Sequence, residues 1–83
     1  MVTILLEVKR DLRSEFYNPA PKEFRKKPRT ENGVEKAIKD LMKVVKNNEW
    51  ITDYRFKVYE GNYKHYKDMK PLYIIDKTGN VIA

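Results

Sequence analysis

The chain has 83 residues, 41% hydrophobic and 36% charged, with a formal net charge of +6 at pH 7. A single domain is expected at that length, and the hydrophobic share is enough for one core, so wholesale disorder is not expected. The chain has no cysteine, which excludes disulfides and thiolate metal sites and fits a reducing compartment.

The first element is a strand over Val2–Leu12. Val2, Ile4, Leu6 and Val8 alternate with Thr3, Leu5, Glu7 and Lys9, so one face is apolar. Leu5 on the second face points to an interior strand at that end. The longest apolar run, Ile4-Leu5-Leu6, is too short to span a membrane. The apolar residues precede the charges, unlike the order of a signal peptide, so a cytoplasmic protein with no membrane contact is expected.

Residues 13–30 contain three prolines and no clear period, and read as a long basic loop within a single domain spanning 1–83. Within it, Lys22-Glu23-Phe24-Arg25-Lys26-Lys27-Pro28-Arg29 holds five basic residues and one acid. That net of +4 is most of the total, because residues 1–21 and 30–50 each sum to zero and 51–83 supply +2. Concentrated positive charge attracts polyanions over about a Debye length. A short helical turn near Lys22–Lys27 is expected, and Arg13–Thr30 is expected to be the most mobile part of the chain, with trypsin cutting first within Arg25–Arg29.

Asn32–Asn47 has helical periodicity. Val34, Ala37, Ile38, Leu41, Met42 and Val45 form one stripe. Asn32 is the expected cap, with Glu35 three residues on. Glu35 with Lys39, and Lys36 with Asp40, have the spacing of ion pairs along the outer face.

Trp50–Tyr59 alternates again, and Glu60-Gly61-Asn62 is a turn signal. A three-residue loop there would return the chain over Tyr63–Lys67, pairing Tyr59 with Tyr63, Lys57 with His65 and Arg55 with Lys67. One face would then bury Tyr54, Phe56, Val58 and Tyr66, which is why this register is preferred. The other face would carry Arg55, Lys57, Tyr59, Tyr63, His65 and Lys67. Leu72–Ile75 and Asn80–Ile82 flank a second turn signal, Asp76-Lys77-Thr78-Gly79.

These elements predict a two-layer α+β fold of order β-α-β-β-β, with one helix on a mainly antiparallel sheet of four to five strands. The expected core is Val2, Ile4, Leu6, Val8, Ala37, Ile38, Leu41, Val45, Tyr54, Phe56, Val58, Ile74 and Val81.

Cations interleaved with aromatic rings on an open sheet suit single-stranded nucleic acid, because cations neutralise phosphates and rings stack on bases. The expected contact set is Lys22, Arg25, Lys26, Lys27, Arg29, Arg55, Lys57, Tyr59, Tyr63, His65 and Lys67. Non-catalytic binding of RNA or DNA is the leading expectation. The alternative is a small regulator or inhibitor that docks its basic surface on an acidic protein. Lysine outnumbers arginine thirteen to five and glutamine is absent, a composition common in small basic proteins of phages and mobile elements. A small ribonuclease comes third. His65 is the only histidine, and Glu60, Asp68 and Tyr63 or Tyr66 are the groups that would assist it. No cofactor or metal motif is present. Asp53, Glu60, Asp68 and Asp76 lack hard-metal loop spacing, Gly33, Gly61 and Gly79 stand singly, and Ser14 has no histidine at triad spacing.

Overall fold

A computed structural model describes residues 1–11, 14–19, 22–61 and 70–82. One helix packs on a four-stranded antiparallel sheet, the α+β class that the alternation and helical stripe predict. The strands are β1 (Val2–Lys9), β2 (Arg25–Lys26), β3 (Asp53–Glu60) and β4 (Tyr73–Asp76), and the helix is α1 (Glu31–Lys46). Their order across the sheet is β2-β1-β3-β4.

The central pair sets the frame. β1 and β3 pair along their whole length, from Val2 opposite Glu60 to Lys9 opposite Asp53. In this register Val2, Ile4, Leu6 and Val8 share a face with Tyr54, Phe56 and Val58, as a half-buried antiparallel pair requires. α1 covers that face. It runs in the direction of β1, as hydrogen bonds at both ends of the sheet show. Val2 N donates to Pro28 O, two residues before Thr30, and Thr52 N donates to Lys9 O, beyond the end of α1.

The core joins Ile4, Leu6 and Val8 of β1, Phe56 and Val58 of β3, and Ala37 and Leu41 of α1. Val2, Ile38, Val45 and Tyr54 pack around it, half-buried. Leu41 is fully buried, and truncation of such a side chain to Ala costs about 2–5 kcal/mol. Leu5 is also buried, which fits the interior position of β1 between β2 and β3.

Four details differ from the sequence reading. The helix cap is Thr30, not Asn32. Thr30 has an extended backbone, and its Oγ1 accepts from Gly33 N at 3.1 Å. The core-facing residues of β4 are Tyr73 and Ile75, which lie opposite Val58 and Phe56, whereas Ile74 lies opposite Lys57 on the far face. Val81 is 64% exposed, because it meets Ile75 only through a bridge at the margin of the sheet. Tyr59, expected outside the core, is buried.

The described residues of the 13–30 segment are more structured than a free loop. Tyr17 exchanges two backbone hydrogen bonds with Val8, and the Asn18 amide donates to Leu6 O and Phe24 O. Lys22–Phe24 is one 3-10 turn, so the expected helical turn is present but shorter. Phe24 is 3% exposed and belongs to the core. β2 then pairs with β1, with Arg25 opposite Leu5 and Lys26 opposite Ile4. Gly33 allows this segment to close on α1, since a Cβ there would lie 3.0 Å from Pro28 Cβ. At the second turn signal, Gly79 has φ +89°, a value that favours glycine.

Candidate nucleic-acid interface

The basic run is divided by its strand. Successive residues of β2 point to opposite faces. Lys26, opposite Ile4, is on the helix side, and Arg25, opposite Leu5, is on the far side. Lys22, Lys27 and Arg29 are exposed around it.

Lys26 and Lys27 meet the helix. Together with Pro28, Gly33, Lys36, Ala37 and Asp40 they line an open groove of about 230 Å³. Asp40 is the one acid in that lining. From the groove the positive charge continues along α1 through Lys39, Lys43 and Lys46, all exposed. The lysine spacing of three, four and three residues keeps all four within an arc of roughly 80°. The stripe is centred opposite Leu41 and so points away from the sheet. It extends about 15 Å from Lys36 to Lys46 at the helical rise.

This charge is uncompensated by ion pairs. Among the described residues, Lys22, Lys26, Lys27, Arg29, Lys36, Lys39, Lys43 and Lys46 make no ion pair within 4.0 Å. The two outer pairs expected from spacing, Glu35 with Lys39 and Lys36 with Asp40, are therefore not formed. On the exposed side of a helix such pairs contribute only a few tenths of a kcal/mol, too little to fix long side chains.

The expected strand face differs in kind. Glu7 lies directly across from Arg55 in the β1–β3 register. Its carboxylate accepts from Arg55 Nε at 2.7 Å and lies 3.4 Å from Lys57 Nζ. The Arg55 guanidinium also sits over the Phe16 ring, 4.2 Å from its centroid, and Lys9 Nζ lies 4.5 Å from the same centroid. These cations are engaged within the fold. Farther along this face, Thr3, Leu5 and Tyr59 are 0%, 4% and 3% exposed, so the Tyr59 ring is not a solvent-facing platform. Thr3 Oγ1 donates to Gly61 O at 2.7 Å. Tyr63, His65 and Lys67 lie outside the described residues, as do Tyr66 and Asp68. The edge of β3 that a Tyr63–Lys67 strand would use is taken over Arg55–Val58 by β4.

A larger cavity, about 310 Å³, lies at the β4 end between Phe16, Asp53, Tyr54, Arg55, Asp76, Lys77, Thr78 and Ile82. Its charges are matched locally. Arg55 bonds Glu7, and Lys77 Nζ is 4.0 Å from Asp53. The Asp76 carboxyl titrates below its ordinary value, chiefly through the hydrogen bond from Thr78 Oγ1. A site already balanced in this way offers little to a charged ligand. The groove beside α1 offers several unmatched cations.

Of the sequence-predicted residues, Lys26 and Lys27 thus share one groove, with Lys22 and Arg29 exposed in the same run. Arg25, Arg55 and Lys57 lie on the far face of the sheet. The helix lysines were missed because residues 30–50 sum to zero charge. Their signal was the spacing of Lys36, Lys39, Lys43 and Lys46, opposite the apolar stripe. No described helix is long and apolar enough to cross a membrane. The chain matches no protein-family model, no curated protein and no solved structure.

Proposed function

We propose that this chain is a non-catalytic nucleic-acid-binding protein that grips phosphates on the surface from residues 22–29 onto α1. The observation that carries this reading is the meeting of Lys26, Lys27 and Lys36 around one groove. From that groove the positive charge continues along α1 through Lys39, Lys43 and Lys46, with no described acid paired to any of these lysines. Clustered free cations gain affinity for a polyanion by releasing its condensed counterions. Such contacts position a backbone and do not read sequence, so binding is expected to be weakly sequence-dependent.

The test is the salt dependence of binding. Contact with four phosphates gives a log–log slope of about −3.6 on duplex and about −2.8 on single strands. Replacing Lys26, Lys27, Lys36 and Lys39 with Gln flattens the slope, whereas replacing Lys57 leaves it nearly unchanged. Absent binding at low salt, or a slope insensitive to the four changes, rejects the reading.

The alternative is docking on an acidic protein surface. It draws on an open apolar cleft beside Arg29, formed by Met1, Val2, Pro28, Thr30, Glu31 and Val34. Met1 is 54% exposed there. An apolar rim beside cations suits a protein partner better than a phosphate backbone. Binding that tolerates high salt but is lost when Val34 becomes Asp would favour this alternative.

A further inference from the structure

We infer that Trp50 is a base-stacking site, and that the ligand of the lysine surface is single-stranded nucleic acid. This rests on the phosphate-binding reading above and adds the chemistry that selects unpaired bases.

Trp50 is the only tryptophan and is 37% exposed. Its position is fixed from two sides. Its Nε1 donates to Asn48 Oδ1 at 3.2 Å, and the Asn48 amide donates to Val44 O, in the last turn of α1, at 2.7 Å. The Arg10 guanidinium lies 5.5 Å from the ring centroid. The indole is thereby tied to the same helix end as Lys43 and Lys46. Because α1 runs in the direction of β1, the groove of Lys26, Lys27 and Lys36 is at one end and Trp50 with Arg10 at the other. Lys39, Lys43 and Lys46 are spaced along α1 between these two ends.

The chemistry of the two ends is complementary. Cations along the helix hold phosphates whatever the base. An indole at the end of that track, with the Arg10 guanidinium over one face of the ring, offers its remaining exposed π surface to a base and a charge to the adjoining phosphate. A base inside a duplex is already stacked, so only an unpaired base can use the ring. The ring is pre-positioned by the Asn48 and Arg10 contacts, so little rotamer entropy is lost on stacking. Tyr59, the ring that strand alternation nominated, is buried, whereas Trp50 is an exposed ring tied to the last turn of α1, which carries Lys43 and Lys46.

Because the tryptophan is unique, its emission reports on this site directly. The intact protein is titrated at low salt with oligothymidylate, with a duplex of the same length, and with inorganic polyphosphate. All three should bind, but only oligothymidylate should quench Trp50. In competition assays Trp50→Ala should bind oligothymidylate about 5- to 150-fold more weakly, the equivalent of roughly 1–3 kcal/mol for one stacked base. It should bind polyphosphate as wild type does. Trp50→Tyr, which keeps a ring, should recover most of the loss. Oligothymidylate binding without quenching, or equal quenching by polyphosphate, overturns the stacking site and leaves the phosphate surface standing. Failure of all three polyanions to bind rejects the phosphate surface itself, and the stacking site with it. The quenching measurement uses wild-type protein, so it decides the matter even if Trp50→Ala folds poorly.

Discussion

Phe24 links the basic surface to the fold, and its removal gives the sharpest test of the structure. Its ring is 3% exposed and packs in one core with Ile4, Leu6, Leu41 and Phe56, between Lys22 and Arg25 in sequence. Phe→Ala in a core costs about 3–5 kcal/mol. At roughly 0.05–0.15 kcal/mol per residue, 83 residues have a total stability of about 4–12 kcal/mol. Phe24→Ala therefore removes at least a quarter of the stability and lowers the folded-to-unfolded ratio by about two to four orders of magnitude. The loss should appear as a lower denaturant midpoint, followed through Trp50 emission. It should also appear locally. In wild type the bonds after Arg25 and Lys26 are held by the pairing of β2 with β1, so trypsin should cut them slowly. In Phe24→Ala, at a temperature where the far-ultraviolet spectrum still reports a folded chain, both bonds should be cut much faster. Proteolysis of this kind follows the population of the opened form. Lys27→Ala, which alters an exposed side chain of the same run, should change neither readout. Rapid cleavage after Arg25 in wild type, or an unchanged midpoint in Phe24→Ala, would show that the segment is a free arm and that Phe24 is not a core residue.

Two further expectations concern charged groups away from the binding surface. Glu7→Gln removes a carboxylate that serves both Arg55 and Lys57, and with all three groups mostly shielded it should cost about 1–2 kcal/mol. Denaturant midpoints measure this, and a change within error would mean that the pair is solvent-separated. The Asp76 carboxyl is held below its ordinary value of 3.8 chiefly by the Thr78 hydroxyl. Partial desolvation opposes the shift, and the backbone N–H groups of Asn80, Thr78 and Gly79 add to it. Its contribution to the β4 turn is thus present above 3.8 and fades as pH falls through the lower folded value. An NMR titration of the carboxyl should give a midpoint below 3.8 that returns toward it in Thr78→Val, and a wild-type midpoint at or above 3.8 would contradict the turn geometry.

The main elements were legible in the sequence for definite physical reasons. β1 alternates except at Leu5, because one of its faces must meet a helix. The α1 stripe is legible because its apolar positions repeat every three or four residues. The misses arise where the local signal is degenerate. Thr30 and Asn32 are both good caps, and the packing of Pro28 on Gly33, a tertiary contact, accompanies the choice of Thr30. Leu72–Ile75 is apolar at every position, so a period of two cannot tell Ile74 from Tyr73 and Ile75. Gly61 does have the positive φ of a turn, +77°. The strand found on the free edge of β3 is nevertheless Tyr73–Asp76, and pairing with the next segment in sequence is a tendency, not a rule. Phe24 shows no periodicity among its cations, so nothing local marks it as buried. Tyr59 follows the alternation of β3 faithfully. The burial of the far face at Thr3 and Leu5 depends on long-range packing.

The helix lysines deserve weighing against the simplest electrostatic account, in which a helix places cations where its dipole favours them. That effect is confined to the terminal turns and is worth about 0.3–1 kcal/mol. It accounts for Glu31 in the first turn and for Lys43 and Lys46 in the last. It does not account for Lys36 and Lys39, which lie before the last turn and gain little from the C-terminal partial charge. Nor do the nearby acids account for them, since Glu35 and Asp40 form no ion pair with either. Four like charges on one narrow arc repel one another, a cost that a solvated face could avoid by mixing signs. The same arrangement lowers the free energy of any polyanion laid along the helix. Fold stability and ligand binding therefore respond to these residues in opposite senses. Replacing Lys36 and Lys39 with Gln should leave the denaturant midpoint unchanged or raised while weakening oligonucleotide binding. A fall in the midpoint with binding intact would make the stripe a stabilising surface and remove the basis for a phosphate track.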